Sequence, residues 1–272
     1  MQHRPKKRFG QNFLRDQQVV DRILEAADLQ PEDRLLEIGP GLGALTDRML
    51  PQVAQLHVME LDRDLAGALQ ARPEANLRVH MGDALRLDWN ELLPEPPYKL
   101  VANLPYNISS QILFKILDHR QLFSRLVLMF QQEVGDRLCA EPCSKEYGIL
   151  SVLCQNWFSI SRVVRVPPGA FYPPPKVHSA VLRFDALEQP QVNVADESFF
   201  RRVVKGAFGQ RRKTLRNSLK GAGLAFEGLS EAMEGIGIDA GRRAETLSLE
   251  EFGALAELLR SRLQEPPAES PA

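Results

Sequence analysis

Five short apolar runs recur along the first half of the chain, Arg34 to Ile38, Gln55 to Met59, Leu77 to His80, Leu100 to Ala102 and Leu126 to Phe130, with helical stretches between them. Strands this apolar need no polar face, which is the pattern of a parallel sheet covered on both sides by helices. A helix is expected from Ala44 and a buried one over Tyr147 to Phe158. Val163 to Val166 and Ala180 to Phe184 then read as two further strands forming a hairpin-like finish, with Phe171 in the loop between them. At Asp185 to Ala195 the strand pattern gives way to Gln, Pro, Asn and Ala, a linker composition. Beyond it the chain reads as helical throughout. Phe199, Phe200, Val203, Val204, Ala207 and Phe208 mark an apolar stripe at helical spacing. Ser248 and Glu251 form a capping box ahead of Phe252, Leu255, Leu258 and Leu259. The expected architecture is therefore α/β, with an open, mostly parallel sheet over residues 1–185 and a small all-helical domain over residues 186–272, whose proline-rich end from Glu265 to Ala272 frays.

Length and charge narrow the possible functions. With 272 residues and 44% hydrophobic content the chain can bury one substantial core and a small second one. A net charge of −1 excludes a globally basic nucleic-acid binder, but the charge is unevenly placed. Arg4, Lys6, Lys7, Arg8 and Arg15 all precede the first acid, Asp16. Between Arg201 and Lys220 there is no acid, and Arg211, Arg212, Lys213 and Arg216 follow the apolar stripe. A solvated helix surface is the plain reading of such a run; local basic patches on a near-neutral chain also suit an oriented RNA face. Cys139, Cys143 and Cys154 are odd in number and lack metal-ligand spacing, and His57, His80 and His178 stand singly, so neither a disulfide framework nor a metal is expected. No apolar stretch approaches membrane-spanning length, and the expected setting is the cytoplasm.

The chemistry gathers at strand ends. Leu100 to Ala102 runs into Asn103-Leu104-Pro105-Tyr106. An exocyclic amine on adenine is a poor nucleophile because its lone pair is delocalised, so an alkylating site must hold the amine hydrogens and leave the lone pair aimed outward. The Asn103 amide oxygen and the Leu104 carbonyl can accept those hydrogens, Pro105 fixes the backbone between them, and Tyr106 offers a stacking face. An ordinary strand-to-loop turn would use the same residue types. Upstream, Glu37-Ile38-Gly39-Pro40-Gly41-Leu42-Gly43 follows a strand as a nucleotide-binding loop does. The next two strands end in Glu60-Leu61-Asp62 and Gly82-Asp83-Ala84, where carboxylates can take a ribose diol and an adenine amine. The glycine spacing departs from the dinucleotide fingerprint, and Glu37 would repel a pyrophosphate but suit an ammonium group, so S-adenosyl-L-methionine is favoured over a nicotinamide dinucleotide.

Together with Gln11-Asn12-Phe13-Leu14 and Phe171-Tyr172-Pro173-Pro174-Pro175-Lys176-Val177, these motifs run in order from about residue 8 to residue 260. The chain thereby resembles the ribosomal RNA adenine dimethyltransferases, most closely their bacterial small-subunit branch. That resemblance implies a class I S-adenosyl-L-methionine-dependent methyltransferase fold, Rossmann-like, with seven strands and a final antiparallel one. It implies that Asn12 and Leu14 edge the cofactor pocket, Gly39 and Gly41 hold the methionine portion, Glu60 the ribose and Asp83 the adenine. Asn103 would serve cofactor and target alike, Leu104 would bind the target amine, and Tyr106 and Phe171 would sandwich the base. A packed core aromatic is the plain alternative for Phe171. The implied reaction is N6,N6-dimethylation of two adjacent adenosines in the 3′-terminal hairpin of 16S ribosomal RNA, by a monomer acting on an assembling 30S particle. A large-subunit target, as for the Erm relatives, and an assembly factor with secondary catalysis are the other readings.

Overall fold

The computed structural model describes residues 5–6 and 10–264 of the chain, and these divide into two compact units. The described residues up to Gly135, with Ser159–Ala186, make the first; Asp136–Phe158, with the residues from Leu187, make the second. This differs from a single boundary after residue 185, because the chain leaves the first unit after Gly135 and returns at Ser159 with no change of composition to mark the excursion. Of the basic N-terminal residues, Arg4, Lys7 and Arg8 lie outside the described residues, as does the proline-rich stretch from Glu265.

The first unit carries nine strands: β1 (Phe13–Leu14), β2 (Arg34–Ile38), β3 (Gln55–Glu60), β4 (Leu77–Met81), β5 (Tyr98–Asn103), β6 (Phe123–Gln131), β7 (Phe158–Val166), β8 (Phe171–Tyr172) and β9 (Ser179–Ala186). Seven form one sheet in the order β4-β3-β2-β5-β6-β9-β7. Pairing is parallel from β4 through β6, and β9 is antiparallel to β6. Leu35, Leu36, Leu100 and Leu126 at its centre are completely buried, which is why β2, β5 and β6 read as unbroken apolar runs. The strand order turns back between β2 and β5, and at such a switch point the strand ends part to leave a crevice.

Helices cover the sheet. Asp16 caps α1 (Gln17–Ala27), its carboxylate accepting from the Gln18 N–H at 2.9 Å, and α1 buries Val19, Val20, Ile23 and Ala27. The helix expected from Ala44 is a single turn, α2 (Thr46–Met49), followed by a 3-10 turn over Leu50–Gln52; Pro51 has no N–H to continue the ladder. Asp62 caps α3 (Arg63–Gln70), and α4 (Trp89–Leu92) and α5 (Ser109–Asp118) complete the cover. His57 and His80 do not stand singly: neighbouring β3 and β4 bring His57 Nδ1 to 3.0 Å from His80 Nε2 with the rings stacked. Burial, helped by the adjacent His80, lowers the His57 pKa to about 4, so the pair packs as neutral rings.

After α6 (Gln132–Leu138) the second unit begins its own helices. Helix α7 (Ile149–Gln155) is shorter than the expected Tyr147 to Phe158, because the Gly148 N–H donates to Ser151 Oγ at 3.0 Å and starts the helix there. At the other end Asn156 exchanges two hydrogen bonds with the Val192 backbone, tying the linker down. Helix α8 (Glu197–Phe208) buries the whole apolar stripe from Phe199 to Phe208. It is followed by α9 (Leu215–Gly221), α10 (Leu229–Gly235) and α11 (Leu249–Gln264). The capping box is formed, with Glu251 N–H donating to Ser248 Oγ at 3.2 Å and Ser248 N–H to Glu251 Oε2 at 2.8 Å. Phe208 stacks on the fully buried Phe252 with ring centres 5.6 Å apart, and removing either ring would cost about 3–5 kcal/mol. Among the described residues no helix is long and apolar enough to cross a membrane, and no cluster of His, Cys, Asp or Glu is arranged to hold a metal.

Candidate active site

The crevice at the switch point is a cavity lined by residues 10–14, Glu37 to Leu42 with Ala44 and Leu45, Met59 to Leu61, Gly82 to Ala84 and Asn103 to Ile108. Four successive strand ends thus converge on one space, each by the same cause: a parallel sheet places its C-terminal strand ends on one edge. Gly39 and Gly41 both hold positive φ, and a Cβ on Gly41 would stand 2.9 Å from the Phe13 ring, so the loop lies against β1 in a way only glycine permits.

Glu60, at the end of β3, is 6% exposed and accepts from the Asp62 N–H at 2.8 Å and the Gly41 N–H at 3.3 Å. Burial pushes its carboxyl above the usual range, and those N–H groups work against the rise. Asp62, two residues on, is not among the residues that line the cavity. Burial raises its carboxyl, but hydrogen bonds from Lys6 (2.7 Å) and Gln11 (3.1 Å) outweigh that and hold it low. Those bonds tie Lys6 and Gln11 to Asp62, just beyond the end of β3. Asp83 lies half-buried in the cavity wall, its carboxylate accepting from the Leu85 N–H at 2.9 Å. Glu37 is buried at the floor, where Thr46 Oγ1 donates to it at 2.6 Å. Burial, together with nearby Glu60 and Asp47, raises its pKa to about 8 against the Thr46 bond, so it is protonated at neutral pH.

Asn103 shows the most specific geometry. Its Nδ2 donates to the Asn12 carbonyl at 3.0 Å, and since that carbonyl can only accept, the amide orientation is fixed. Among the described residues its Oδ1 accepts no hydrogen bond, which leaves an oriented acceptor on a cavity-lining residue. Next to it Leu104 is buried, Pro105 accepts from the Ile108 N–H at 3.1 Å to close the turn, and the Tyr106 hydroxyl bonds Ser179 Oγ at 2.5 Å. That bond holds the Tyr106 ring in the cavity wall, and burial raises its phenol pKa.

Phe171 is not brought to this cavity. β1 and β8 pair Leu14 with Phe171 and Phe13 with Tyr172; Leu14 lines the cavity, whereas Phe171 is 4% exposed within the apolar core that includes Leu14, Val20 and Ala170.

In the second unit, Arg211 is committed to structure: its Nη2 donates to the Lys145 and Tyr147 carbonyls at 2.7 and 2.9 Å. Arg212, Lys213 and Arg216 are exposed and, among the described residues, form no ion pair. Arg211 and Arg212 share a shallow cleft with Lys145 and Arg243, cations that lie far apart in sequence.

Compared with known proteins, residues 2–261 match the family model described as ribosomal RNA adenine dimethylase. The chain belongs to the ribosomal RNA adenine dimethylase family. This dimethylase family member is 76% identical over 260 residues to the ribosomal RNA small subunit methyltransferase A of Syntrophotalea carbinolica, covering 96% of this chain and 98% of that one. It is 54% identical to the protein of the same description from Geobacter metallireducens, covering 93% and 94%. A dimethyladenosine transferase from Plasmodium falciparum superposes with a TM-score of 0.79 at 26% identity, covering 92% and 98%; the 23S rRNA methyltransferase ErmE gives 0.68 at 26%, covering 91% and 99%. The sheet order is that of a class I methyltransferase, and the family's methyl donor is S-adenosyl-L-methionine. The cavity residues fit that donor: a glycine cradle that a Cβ would fill, a buried acid at the floor for an ammonium, and a buried acid at the second strand end for a diol. Sequence reasoning missed the Asn12 carbonyl, since a backbone group leaves no residue-type signal, and the cavity-lining Leu42 and Leu61, exposed at 51% and 47%. A large apolar residue directly after a strand-end acid was the available clue for Leu61.

Proposed function

We propose that this chain transfers methyl groups from S-adenosyl-L-methionine to N6 of two adjacent adenosines in the 3′-terminal hairpin of small-subunit ribosomal RNA, acting as a monomer on an assembling 30S particle in the cytoplasm. The bound donor supplies an electrophilic methyl on a sulfonium and departs as a neutral thioether. Asn12 and Leu14 form the edge of its pocket, Gly39 and Gly41 let the backbone approach the methionine portion, Glu60 takes the ribose hydroxyls and Asp83 the adenine amine.

The observation that carries the reading is the locked Asn103 amide. An acceptor held at one place beside a backbone carbonyl, that of Leu104, suits the two hydrogens of an exocyclic amine, while Tyr106 stacks on the ring. Asn103 is neutral, so after one methylation it still accepts the remaining hydrogen, which is compatible with a second round. Positioning and electrostatic stabilisation of the developing positive charge on nitrogen are what these residues contribute; the N6 proton is lost to water after each transfer, so no side chain is needed as a dedicated base. Phe171, one strand position from the cavity and packed in this conformation, supplies the second ring once RNA is bound. Arg212, Lys213 and Arg216 contact phosphates, and Arg211 holds the segment that presents them.

The curated relatives, named for the small subunit, support that RNA as the target. Incubation with isotopically labelled donor and either immature small subunits or naked large-subunit RNA tests the reading. Label in the small-subunit RNA is expected; label only in large-subunit RNA, or RNA binding with no label at all, contradicts it.

A further inference from the structure

The ribbon of β1 and β8 presents an aromatic that the methyl-transfer reading leaves unused. Successive residues of a strand face opposite sides, so Phe171 turns inward while Tyr172 turns out and is 48% exposed. Arg15 follows β1 directly. Its N–H donates to the Ala170 carbonyl at 2.8 Å, which fixes the backbone, and its guanidinium carbon lies 4.2 Å from the centre of the Tyr172 ring. Among the described residues Arg15 forms no ion pair, so a permanent charge rests on an open ring without a carboxylate to neutralise it. A guanidinium over a ring is favourable on its own account, but side-chain ordering at an exposed position opposes it, and the backbone bond and strand pairing reduce that cost.

The position of this pair is as informative as its chemistry. Asn12, Phe13 and Leu14 line the cavity, the Asn12 carbonyl orients Asn103, and Phe13 is the strand partner of Tyr172. Arg15 therefore directly follows, and Tyr172 pairs across from, residues that line the cavity. Resting on the reading of that space as a site for an RNA adenosine, we propose that Tyr172 and Arg15 form a docking platform for the nucleotide next to the target. Its base stacks on the tyrosine, and Arg15 bonds its phosphate. Stacking on a tyrosine accepts any base, so the platform holds either neighbour when the two adenosines exchange places at the cavity. Arg suits the second role because its planar fork bonds phosphate oxygens in pairs.

The test uses the full chain with hairpin RNA carrying 2-aminopurine beside the target, comparing wild type with Tyr172→Ala, Tyr172→Phe and Arg15→Gln. Tyr172→Ala should raise the RNA Kd and the KM for RNA about tenfold or more, the size expected for one lost base stack. It should also relieve the quenching of 2-aminopurine, with cofactor affinity and melting temperature unchanged. Tyr172→Phe keeps the stacking face and should behave as wild type, whereas Arg15→Gln should lower the slope of log Kd against log salt by about one contact. An RNA Kd, KM and quenching in Tyr172→Ala equal to wild type overturn the platform, as does a Tyr172→Phe protein as impaired as Tyr172→Ala. Wild-type label incorporation is the separate control: its absence sinks the functional reading, while its presence beside an unaffected Tyr172→Ala sinks only the platform.

Discussion

Replacing Asn103 by alanine separates what this side chain does for folding from what it does for chemistry. On the folding side the substitution removes one hydrogen bond, from Nδ2 to the Asn12 carbonyl at 3.0 Å, at a half-buried position where water can take the place of the lost donor. A bond of that kind contributes about 1 kcal/mol net, which for a chain of this size lowers the melting temperature by roughly 2–4 °C. On the chemical side it removes a pre-oriented acceptor at the place where charge develops, a loss of the order of 10²–10³ in kcat, or about 3–4 kcal/mol of barrier. The chemical effect is thus several times the structural one. Asn103→Asp divides the roles differently, since it keeps an acceptor but sets a carboxylate oxygen against the Asn12 carbonyl, and faster amide hydrogen exchange over Asn12 to Leu14 is expected. Single-turnover label incorporation gives the rate, calorimetry the cofactor affinity and a thermal melt the stability. An Asn103→Ala rate within tenfold of wild type would refute the acceptor role, and a melting temperature lowered by more than about 10 °C would refute the division between chemistry and fold.

Other outcomes follow from the remaining cavity and surface residues. Glu37, raised from an ordinary 4.5 to about 8, holds a proton in the folded chain that the unfolded chain releases. Its contribution to stability is therefore complete below about pH 4.5 and drains away as the pH rises to about 8. Glu37→Gln should flatten that decline in melts between pH 5 and 8.5, and parallel curves for variant and wild type would contradict it. If an ammonium group docks at Glu37, donor binding near pH 7 releases a proton, which calorimetry in buffers of differing ionisation enthalpy detects as a buffer-dependent heat. Phe171→Ala should lose about 3–5 kcal/mol of stability in a denaturant melt, as a packed core ring does, whereas Tyr106→Ala should lose activity out of proportion to stability. A Phe171→Ala protein as stable as wild type would place that ring outside the core. Neutralising Arg212, Lys213 and Arg216 should weaken RNA binding and flatten its salt dependence, while Arg211→Ala should lower the melting temperature through its two carbonyl bonds. An unchanged salt slope removes these cations from the interface.

The sheet was legible because its central strands are buried on both faces and so lack any polar interruption; Leu35, Leu36, Leu100 and Val101 carry that signal by themselves. The capping box at Ser248 and the stripe in α8 were legible for the same reason, as local patterns with local causes. Where tertiary structure decided, the sequence was silent. Nothing in the composition marks residues 136–158 as part of the second unit, and nothing in a histidine on β3 announces a partner on β4. Within the cavity, the glycines and strand-end acids were readable because chemistry constrains the residue type there. The Asn12 carbonyl was not, since any residue could supply it. Phe171 and Tyr172 are adjacent aromatics, and only strand pairing with β1 determines which one turns inward.

The account stands or falls on a methylated base. Small subunits lacking this modification, exposed to the protein and donor and then digested to nucleosides, should yield N6,N6-dimethyladenosine by mass spectrometry at two adjacent positions of the 3′-terminal hairpin, and Asn103→Ala should yield little or none. Unmodified adenosine after treatment with the wild-type protein, or methyl groups appearing at other atoms or only in large-subunit RNA, would contradict it.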